Sequence, residues 1–273
     1  MASAPDANGN FIAIKEDGSV IQRNIDELTS KLSSLDIEEP NEEKSEHISA
    51  YKSLFDTGEN SDKANKIGHL FTNFHSKNIK QGNLLEKFIN EYLEKSELNL
   101  FNKPKKWFKD QTNVKDIFKE KGVYNKCFIP AKFFDECKIK CSNKTGTEID
   151  YVIIDDDGVT LVELKKGKDF DTKKSSGEVD SLMKIKKILE DNNVKVSKLL
   201  FVSYFAKTSD EIIIKTDLRG CEKCALYNSK IFCDDTSFSN KLCEYIDAKF
   251  KEEAINNLKE FYSQIGDIIK SYI

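Results

Sequence analysis

The strongest structural signal in the chain lies at residues 147–167, which read TEIDYVIIDDDGVTLVELKKG. Two short runs at 148–154 and 159–165 are rich in β-branched and aliphatic residues. Runs of this length and composition are typical of β-strands, and the DDDG segment between them consists of residues that form tight turns. The stretch therefore predicts a β-hairpin.

The second predicted strand carries charge on one of its faces. Because side chains alternate along a strand, Glu163 and Lys165 point to one face, and Val162 and Leu164 point to the other. Charged groups on a sheet face need partners, because it is costly to desolvate an unpaired carboxylate or ammonium. If the strands pair as a hairpin, Asp150 lies opposite the end of the second strand, within reach of Glu163 and Lys165.

This charged group has two interpretations. Two carboxylates held close together repel each other unless a cation lies between them, and hard oxygen ligands of this kind suit Mg²⁺ or Mn²⁺. The alternative is an ion pair between Lys165 and Glu163 or Asp150 at a strand end, with Lys166 and Lys168 simply solvated.

Further helices and strands are predicted on both sides of the hairpin. Upstream, residues 84–93 have the apolar spacing of an amphipathic helix that starts at Gly82 and Asn83, and CFIPAKFF (127–134) is typical of a strand or buried extended segment. Downstream, EVDSLMKIKKILEDNN (178–193) predicts a helix, SKLLFVSYFA (197–206) a doubly buried strand and EIIIKTD (211–217) another strand. A final amphipathic helix is predicted from about residue 240 to residue 273. This order predicts an α/β fold in which helices flank a mixed central sheet. Additional helices are predicted on the N-terminal and C-terminal sides of this core.

At these residues the chain resembles the PD-(D/E)xK nuclease superfamily, which has the restriction-endonuclease-like fold. EID ends at Asp150, VELK carries Glu163 and Lys165, and the upstream helix NLLEKFINEYL carries Glu86. The predicted elements over about residues 83–205 follow the order of the αβββαβ core, which covers less than half of the chain. The residue before Asp150 is Ile149, where the family motif has a proline that many members lack.

The resemblance implies a metal-dependent nuclease that hydrolyses phosphodiester bonds, in DNA rather than RNA, with Mg²⁺ or Mn²⁺ as its cofactor. Asp150 and Glu163 would coordinate the metal, with the Leu164 carbonyl as a further ligand, and Lys165 would orient or help to deprotonate the attacking water. Glu86 would bind the metal or its water; alternatively, it is a solvated glutamate on the helix surface. A restriction-type endonuclease fits the additions around the core, although junction resolvases and exonucleases share that core. The alternative function is a non-catalytic nucleic-acid or protein-binding module with the same fold.

Two lysine-rich segments are candidate contacts for nucleic acid. Residues 103–126 hold 8 lysines against 3 acidic residues, with aromatic residues interleaved. Lysines contact phosphates without reading sequence, and aromatic rings stack on bases, although a solvated amphipathic element would have the same composition. A second group of lysines follows the VELK motif, where a nucleic-acid backbone would run. The expected contacts are Lys105, Lys106, Trp107, Lys166, Lys168, Lys173 and Lys174.

Charge separates the start of the chain from the remainder. Residues 1–62 hold 5 Lys and Arg against 14 Asp and Glu, a balance of −9, while the rest of the chain has a balance of +5. We therefore predict an acidic, mobile leader at 1–62, followed by a nuclease-like domain at 63–273 with a C-terminal helical extension at 240–273.

Several classes of protein are disfavoured by composition. No stretch approaches the roughly 18 apolar residues of a membrane-spanning helix, and the N-terminus lacks the pattern of a signal peptide, so we expect an intracellular protein, cytoplasmic or nuclear, without a membrane partner. Glycine-rich phosphate loops are absent, which argues against an NTPase. Seven irregularly spaced cysteines favour reduced thiols or a metal site over a disulfide framework. Only one pair, Cys221 and Cys224, has C-x-x-C spacing, which favours ordinary thiols over a zinc site. The oligomeric state stays open, a homodimer included.

Overall fold

The structure is a computed structural model that describes residues 10–14, 20–24, 52, 61–141, 143–170 and 172–270. Most of the predicted acidic leader lies outside these ranges, so its separation from the rest of the chain at residue 62 stays a prediction. Two compact units are formed, one from Met1–Lys80 with Phe250–Ile273, and one from Gln81–Lys249, which we call the central unit.

The strands and helices follow one another along both units. The strands are β1 (Asn10–Ile14), β2 (Val20–Asn24), β3 (Leu100–Phe101), β4 (Gly122–Pro130), β5 (Gly146–Ile154), β6 (Val159–Lys165), β7 (Asp169–Phe170), β8 (Val196–Ser203), β9 (Ile213–Ile214) and β10 (Glu222–Ala225). The helices are α1 (Ser61–Ile79), α2 (Gln81–Lys95), α3 (Lys105–Lys109), α4 (Val114–Ile117), α5 (Ala131–Glu136), α6 (Thr172–Asp191) and α7 (Thr236–Lys270).

The first unit contains the antiparallel pair β1 and β2, helix α1 and the end of α7. Helix α1 packs against the end of α7 through an aromatic pair and a polar contact. The rings of Phe74 and Phe261 meet edge to face, with their centroids 5.1 Å apart. The Lys77 ammonium donates a hydrogen bond to Asn257 Oδ1 at 3.1 Å.

A mixed six-stranded sheet in the order β10-β8-β6-β5-β4-β3 forms the centre of the central unit. Strands β4, β5 and β6 run antiparallel to one another, whereas β8 is parallel to β6 and β10 is parallel to β8. Because two parallel neighbours need a crossover connection, α6 links β6 to β8. This arrangement confirms the predicted α/β fold with a mixed central sheet flanked by helices.

The DDDG segment closes the hairpin of β5 and β6 as the sequence predicts. Asp155 Oδ1 accepts hydrogen bonds from the amides of Asp157 at 2.9 Å and Gly158 at 3.1 Å. Gly158 has a φ of +135°, a conformation that favours glycine. The aspartate and glycine at the two ends of the turn therefore stabilise it locally, which sets the register of the hairpin.

Helices cover both faces of the sheet. Val179, Leu182 and Ile185 of α6 are buried in one apolar cluster with Leu161 and Phe201, the residues that flank Glu163 on its face of the sheet. On the opposite face, the Tyr151 hydroxyl donates a hydrogen bond to Asn90 Oδ1 of α2 at 2.8 Å. The strand end that carries Glu163 therefore lies beneath α6, and α2 lies on the other side.

Several element boundaries differ from those predicted. The polar stretch 172–177 forms the first turns of α6, which therefore begins six residues before the predicted start. CFIPAKFF is divided between β4 and α5, because Pro130 ends the strand and caps the helix in which Phe133 and Phe134 are buried. EIIIKTD contributes only the two-residue strand β9, and the last helix begins at Thr236. No helix in the described part of the chain is long and apolar enough to cross a membrane.

Candidate active site

Asp150 and Glu163 lie side by side across the hairpin. The ladder between β5 and β6 ends at the pair Tyr151–Val162, and Asp150 and Glu163 are the next residues of the two strands. They are close enough for the charge of Asp150 to raise the pKa of Glu163. Asp150 Oδ2 accepts a hydrogen bond from the Leu164 amide at 2.8 Å. The two carboxylates are thus neighbours, as expected from the alternation of side chains in the sequence.

The Lys165 ammonium bridges two carboxylates from different elements. Its Nζ lies 2.6 Å from Glu163 Oε1 and 2.9 Å from Glu178 Oε1, which comes from α6. The Lys165 side chain is 36% exposed, while those of Glu163 and Glu178 are only 15% and 19% exposed. The ammonium of Lys165 is therefore partly accessible to solvent, whereas the two carboxylates that it contacts are largely buried.

Burial and charge perturb the protonation of this group. Burial, with a smaller contribution from the charge of Glu86, raises the pKa of Asp150 to about 6, although the Leu164 amide and nearby lysines oppose the shift. Burial and the charge of Asp150 likewise raise the pKa of Glu163 above its ordinary value. For Lys165, burial would lower the pKa, but the Glu163 and Glu178 carboxylates outweigh it and raise that pKa. The site thus holds the charged ammonium of Lys165 beside two carboxylates, those of Asp150 and Glu163, that are costly to ionise.

Glu86 approaches the site from α2, on the other side of the sheet. Its Oε2 lies 3.4 Å from the Lys126 ammonium and accepts a hydrogen bond from Asn125 Nδ2 at 3.3 Å. Asn125 Nδ2 also donates to the Asp150 carbonyl at 3.2 Å. Glu86 is therefore tied to the backbone of Asp150, while Glu163 and Lys165 lie beneath α6.

Two cavities flank the hairpin. One, of about 320 Å³, has Glu148, Glu163, Glu178 and Ser181 in its lining. The other, of about 390 Å³, includes Glu86, Asn90, Asn125 and Lys126. The structure therefore brings Asp150, Glu163 and Lys165 together and places Glu86 at a separate cavity.

The donor chemistry of the hairpin suits a hard divalent cation. Among the described residues, no group of three or more His, Cys, Asp or Glu side chains is arranged to hold a metal ion. The oxygens are turned to other partners, Asp150 to the Leu164 amide and Glu163 to Lys165. Mg²⁺ is commonly held by one or two carboxylates, with water and substrate phosphate completing its shell, so Asp150 and Glu163 suffice as protein ligands. The mutual repulsion that raises the Glu163 pKa would be relieved by such a cation.

Four lysines follow the VELK motif, and the structure describes the surroundings of the first two. The Lys166 ammonium donates to Gln81 Oε1 and lies 5.4 Å from the centroid of the half-exposed Phe205 ring. Lys168 forms an ion pair with Glu211 at 2.8 Å. Lys173 and Lys174 belong to the first turn of α6, and their side chains lie outside the described part of the structure.

The predicted contacts upstream lie on and beside α3. Lys105 pairs with Glu148 at 2.8 Å, whereas Lys106 is exposed. The Trp107 ring is partly buried, and the Lys103 ammonium lies 3.8 Å from its centroid. One face of the Trp107 ring is therefore occupied by a lysine.

Three neighbours of the site are missing from the sequence-based prediction: Glu178, Asn125 and Lys126. Glu178 directly precedes Val179, the first residue of the apolar stripe of its helix, and this position at the border of the stripe was the only sequence signal available for it. Asn125 and Lys126 lie in the middle of β4, where no local pattern distinguishes them. Lys126 has a φ of +51° and is skipped in the pairing of β4 with β5, where it would face Asp150.

The C-x-x-C cysteines are in and next to β10. Cys221 is buried and Cys224 is partly buried, and burial raises the pKa of both thiols. A raised pKa disfavours the thiolate that binds zinc or attacks disulfides, so these groups are poor nucleophiles as they stand.

No protein-family model matches the sequence, and no curated protein is significantly similar to it.

Proposed function

We propose that the protein is a metal-dependent nuclease that hydrolyses phosphodiester bonds, in DNA rather than RNA. The observation that carries this proposal is the approach of Asp150 to Glu163 where the β5–β6 ladder ends, with the Lys165 ammonium 2.6 Å from Glu163 Oε1. Phosphodiester hydrolysis develops negative charge on the phosphate, and a cation together with a fixed ammonium stabilises that charge.

The topology of the central unit supports the proposal. Helix α2, strands β4, β5 and β6, helix α6 and strand β8 follow one another in the order of the αβββαβ core of PD-(D/E)xK nucleases. The two acidic positions fall on the second and third strands of that core, and α6 is the crossover helix. This likeness is one of fold and motif, and the chemistry is argued from the side chains.

Each residue of the site has a distinct proposed role. Asp150 and Glu163 would hold Mg²⁺ or Mn²⁺, with the Leu164 carbonyl as a further ligand. When bound, the metal supplies a Lewis acid and a water of lowered pKa. Lys165 orients the attacking water and offsets charge on the phosphate. Glu86, at the neighbouring cavity, influences the protonation of Asp150 through its charge.

The distribution of lysines supports a nucleic acid as the substrate. Lys106 is exposed on α3, and Lys166 follows the catalytic strand directly. Such lysines would contact a phosphate backbone without reading sequence, which fits binding to DNA through its charge. Within this class, a restriction-type endonuclease fits the elements added around the core, and a junction resolvase or exonuclease would use the same site.

A cleavage assay tests the proposal. Plasmid DNA, single-stranded DNA and RNA are incubated with the protein and either Mg²⁺, Mn²⁺ or EDTA. We expect metal-dependent cleavage that Asp150→Asn abolishes, that Lys165→Met lowers by about 10²–10⁴-fold and that Lys187→Met preserves. Lys187 is an exposed lysine of α6 that pairs with Asp191, one turn further along the helix. Nucleic-acid binding without cleavage in any metal would favour the non-catalytic module instead.

A further inference from the structure

We infer that Glu178 is a positioning residue that holds the Lys165 ammonium in place. The inference rests on the proposed nuclease function and adds to it a residue from α6. Glu178 does not belong to the charged motif of the hairpin, and it follows Lys165 by thirteen positions. Its carboxylate nevertheless lies 2.9 Å from Lys165 Nζ.

The tertiary structure directs Glu178 at the site from a firmly anchored turn of α6. Ser175 and Val179, one turn before it and directly after it, are both fully buried. The Glu178 side chain therefore contacts Lys165 from a helix whose inward face packs on the sheet. It is 19% exposed, so its contact with Lys165 is shielded from most of the solvent.

Lys165 needs this second partner because Glu163 would have to bind both the Lys165 ammonium and the metal. As the structure stands, Glu163 Oε1 accepts a hydrogen bond from Lys165 Nζ at 2.6 Å. In the proposed nuclease, the same Glu163 carboxylate is a metal ligand. A carboxylate that turns its oxygens to a cation holds the lysine less well, and the remaining anchor of Lys165 is then Glu178.

The second oxygen of Glu178 also favours a functional role. Glu178 Oε2 is buried and has no hydrogen-bond partner among the described residues. A buried acceptor without a partner costs free energy, so a carboxylate placed only for stability would be a poor choice here. Glu178 lines the same cavity as Glu163, so its carboxylate lies beside the proposed metal ligand.

Chemical labelling of the metal-free protein tests the contact without relying on activity. In EDTA at one fixed pH, an amine-acetylating reagent is applied and the modification of Lys165 is measured by peptide mass spectrometry. We expect Glu178→Gln to increase the rate at Lys165 about fivefold or more, because one of two charge-assisted hydrogen bonds is weakened. Glu190→Gln on the same helix, which removes a surface pair with Lys186, should leave that rate unchanged.

Metal binding and kinetics separate positioning from ligation. We expect Glu178→Gln to lower kcat about tenfold with little change in KM, and to leave the affinity for Mn²⁺ unchanged, whereas Glu163→Gln weakens Mn²⁺ binding. Thermal unfolding of the variants shows that they are folded, and Glu178→Ala repeats the test if Gln still accepts the hydrogen bond. Unchanged labelling of Lys165 in both Glu178 variants, or a loss of Mn²⁺ affinity equal to that in Glu163→Gln, would overturn the inference. Absence of cleavage by the unaltered protein would instead reject the proposed nuclease function. The labelling experiment would still test whether Glu178 holds Lys165.

Discussion

Asp150 Oδ2 accepts a hydrogen bond from the Leu164 amide of the neighbouring strand at 2.8 Å. This contact fixes one acidic side chain of the hairpin against the strand that carries Glu163 and Lys165. It satisfies one oxygen of a buried carboxylate and opposes, without cancelling, the rise that burial causes in the pKa of Asp150. The negative charge of an ionised Asp150 is therefore only partly compensated by its neighbours in the fold.

Replacing Asp150 by asparagine should stabilise the metal-free protein while abolishing cleavage. Asparagine keeps an oxygen for the Leu164 amide but removes a charge that is costly to bury, so we expect a gain on the order of 1–3 kcal/mol in unfolding free energy at pH 7. Urea unfolding in EDTA measures it. Asp156→Asn is the control, because the Asp156 side chain is 91% exposed and its loss should change stability by less than about 0.5 kcal/mol. A destabilised Asp150→Asn would contradict the prediction.

The stability of the metal-free protein should fall with rising pH in the weakly acidic range. The pKa of Asp150 is raised to about 6, above its ordinary value of about 3.9, so the folded state binds this proton more tightly than the unfolded state. The resulting stabilisation is complete below about pH 4 and is lost as the pH rises through about 6. Urea unfolding at a series of pH values in EDTA should show this loss in the unaltered protein and a weaker one in Asp150→Asn. Identical slopes in the two proteins would refute the assignment to Asp150.

Replacing Lys165 by methionine should cost both activity and stability. Methionine preserves much of the apolar stem but leaves the carboxylates of Glu163 and Glu178 facing each other without the ammonium. Removal of a charged group that acts on the reacting phosphate typically lowers kcat by about 10²–10⁴-fold. Because Lys165 is 36% exposed, we expect a destabilisation of about 1–3 kcal/mol, below that of a fully buried pair.

A double variant identifies the source of that destabilisation. Lys165→Met with Glu178→Gln should recover part of the lost stability, because it removes one of the two carboxylates that repel each other. Kinetics with Mg²⁺ and urea unfolding in EDTA measure the two effects. Full activity of Lys165→Met would eliminate its proposed role at the water and the phosphate.

Replacing Lys106 by alanine should weaken DNA binding through charge alone. Lys106 is exposed on α3, whereas its neighbour Lys105 forms an ion pair with Glu148 at 2.8 Å. Loss of one phosphate contact should lower the slope of log Kd against log salt by about 1, uniformly across DNA sequences. Fluorescence anisotropy at several salt concentrations, with Asp150→Asn as the background to prevent cleavage, measures this slope. An unchanged slope would remove Lys106 from the binding surface.

Two glycine substitutions should have opposite effects on stability. Gly146, the first residue of β5, has a φ of +137°, and a Cβ there would lie 2.3 Å from the Ile129 carbonyl oxygen. We expect Gly146→Ala to destabilise the protein by about 2 kcal/mol or more, because backbone and side chain are both strained. Gly82 lies in the first turn of α2 with nothing within 4 Å of its added Cβ, so Gly82→Ala should stabilise by about 0.4–1 kcal/mol. Thermal unfolding of the pair compares them, and equal effects would contradict the geometry at Gly146.

The hairpin could be predicted because its determinants are local. Alternating side chains, the DDDG turn and the register that follows from them are all contained within residues 147–167, and they bring Asp150 and Glu163 to the same end of the hairpin. Helix boundaries were harder to predict. Thr172 to Gly177 has the composition of a loop, but it forms the first turns of α6, where Ser175 is fully buried. Packing of the turn outweighed its poor helix propensity.

The amino-acid sequence by itself determined which face of the hairpin carries acid and ammonium, since that depends only on the period of a strand. Only the tertiary structure decided what surrounds them. Glu178 reaches Lys165 because α6 crosses back over the sheet, and Asn125 connects Glu86 to the Asp150 backbone because β4 and α2 come together there. Residues that are distant along the chain come into contact through the packing of whole helices and strands. No local sequence pattern in either segment predicts such a contact.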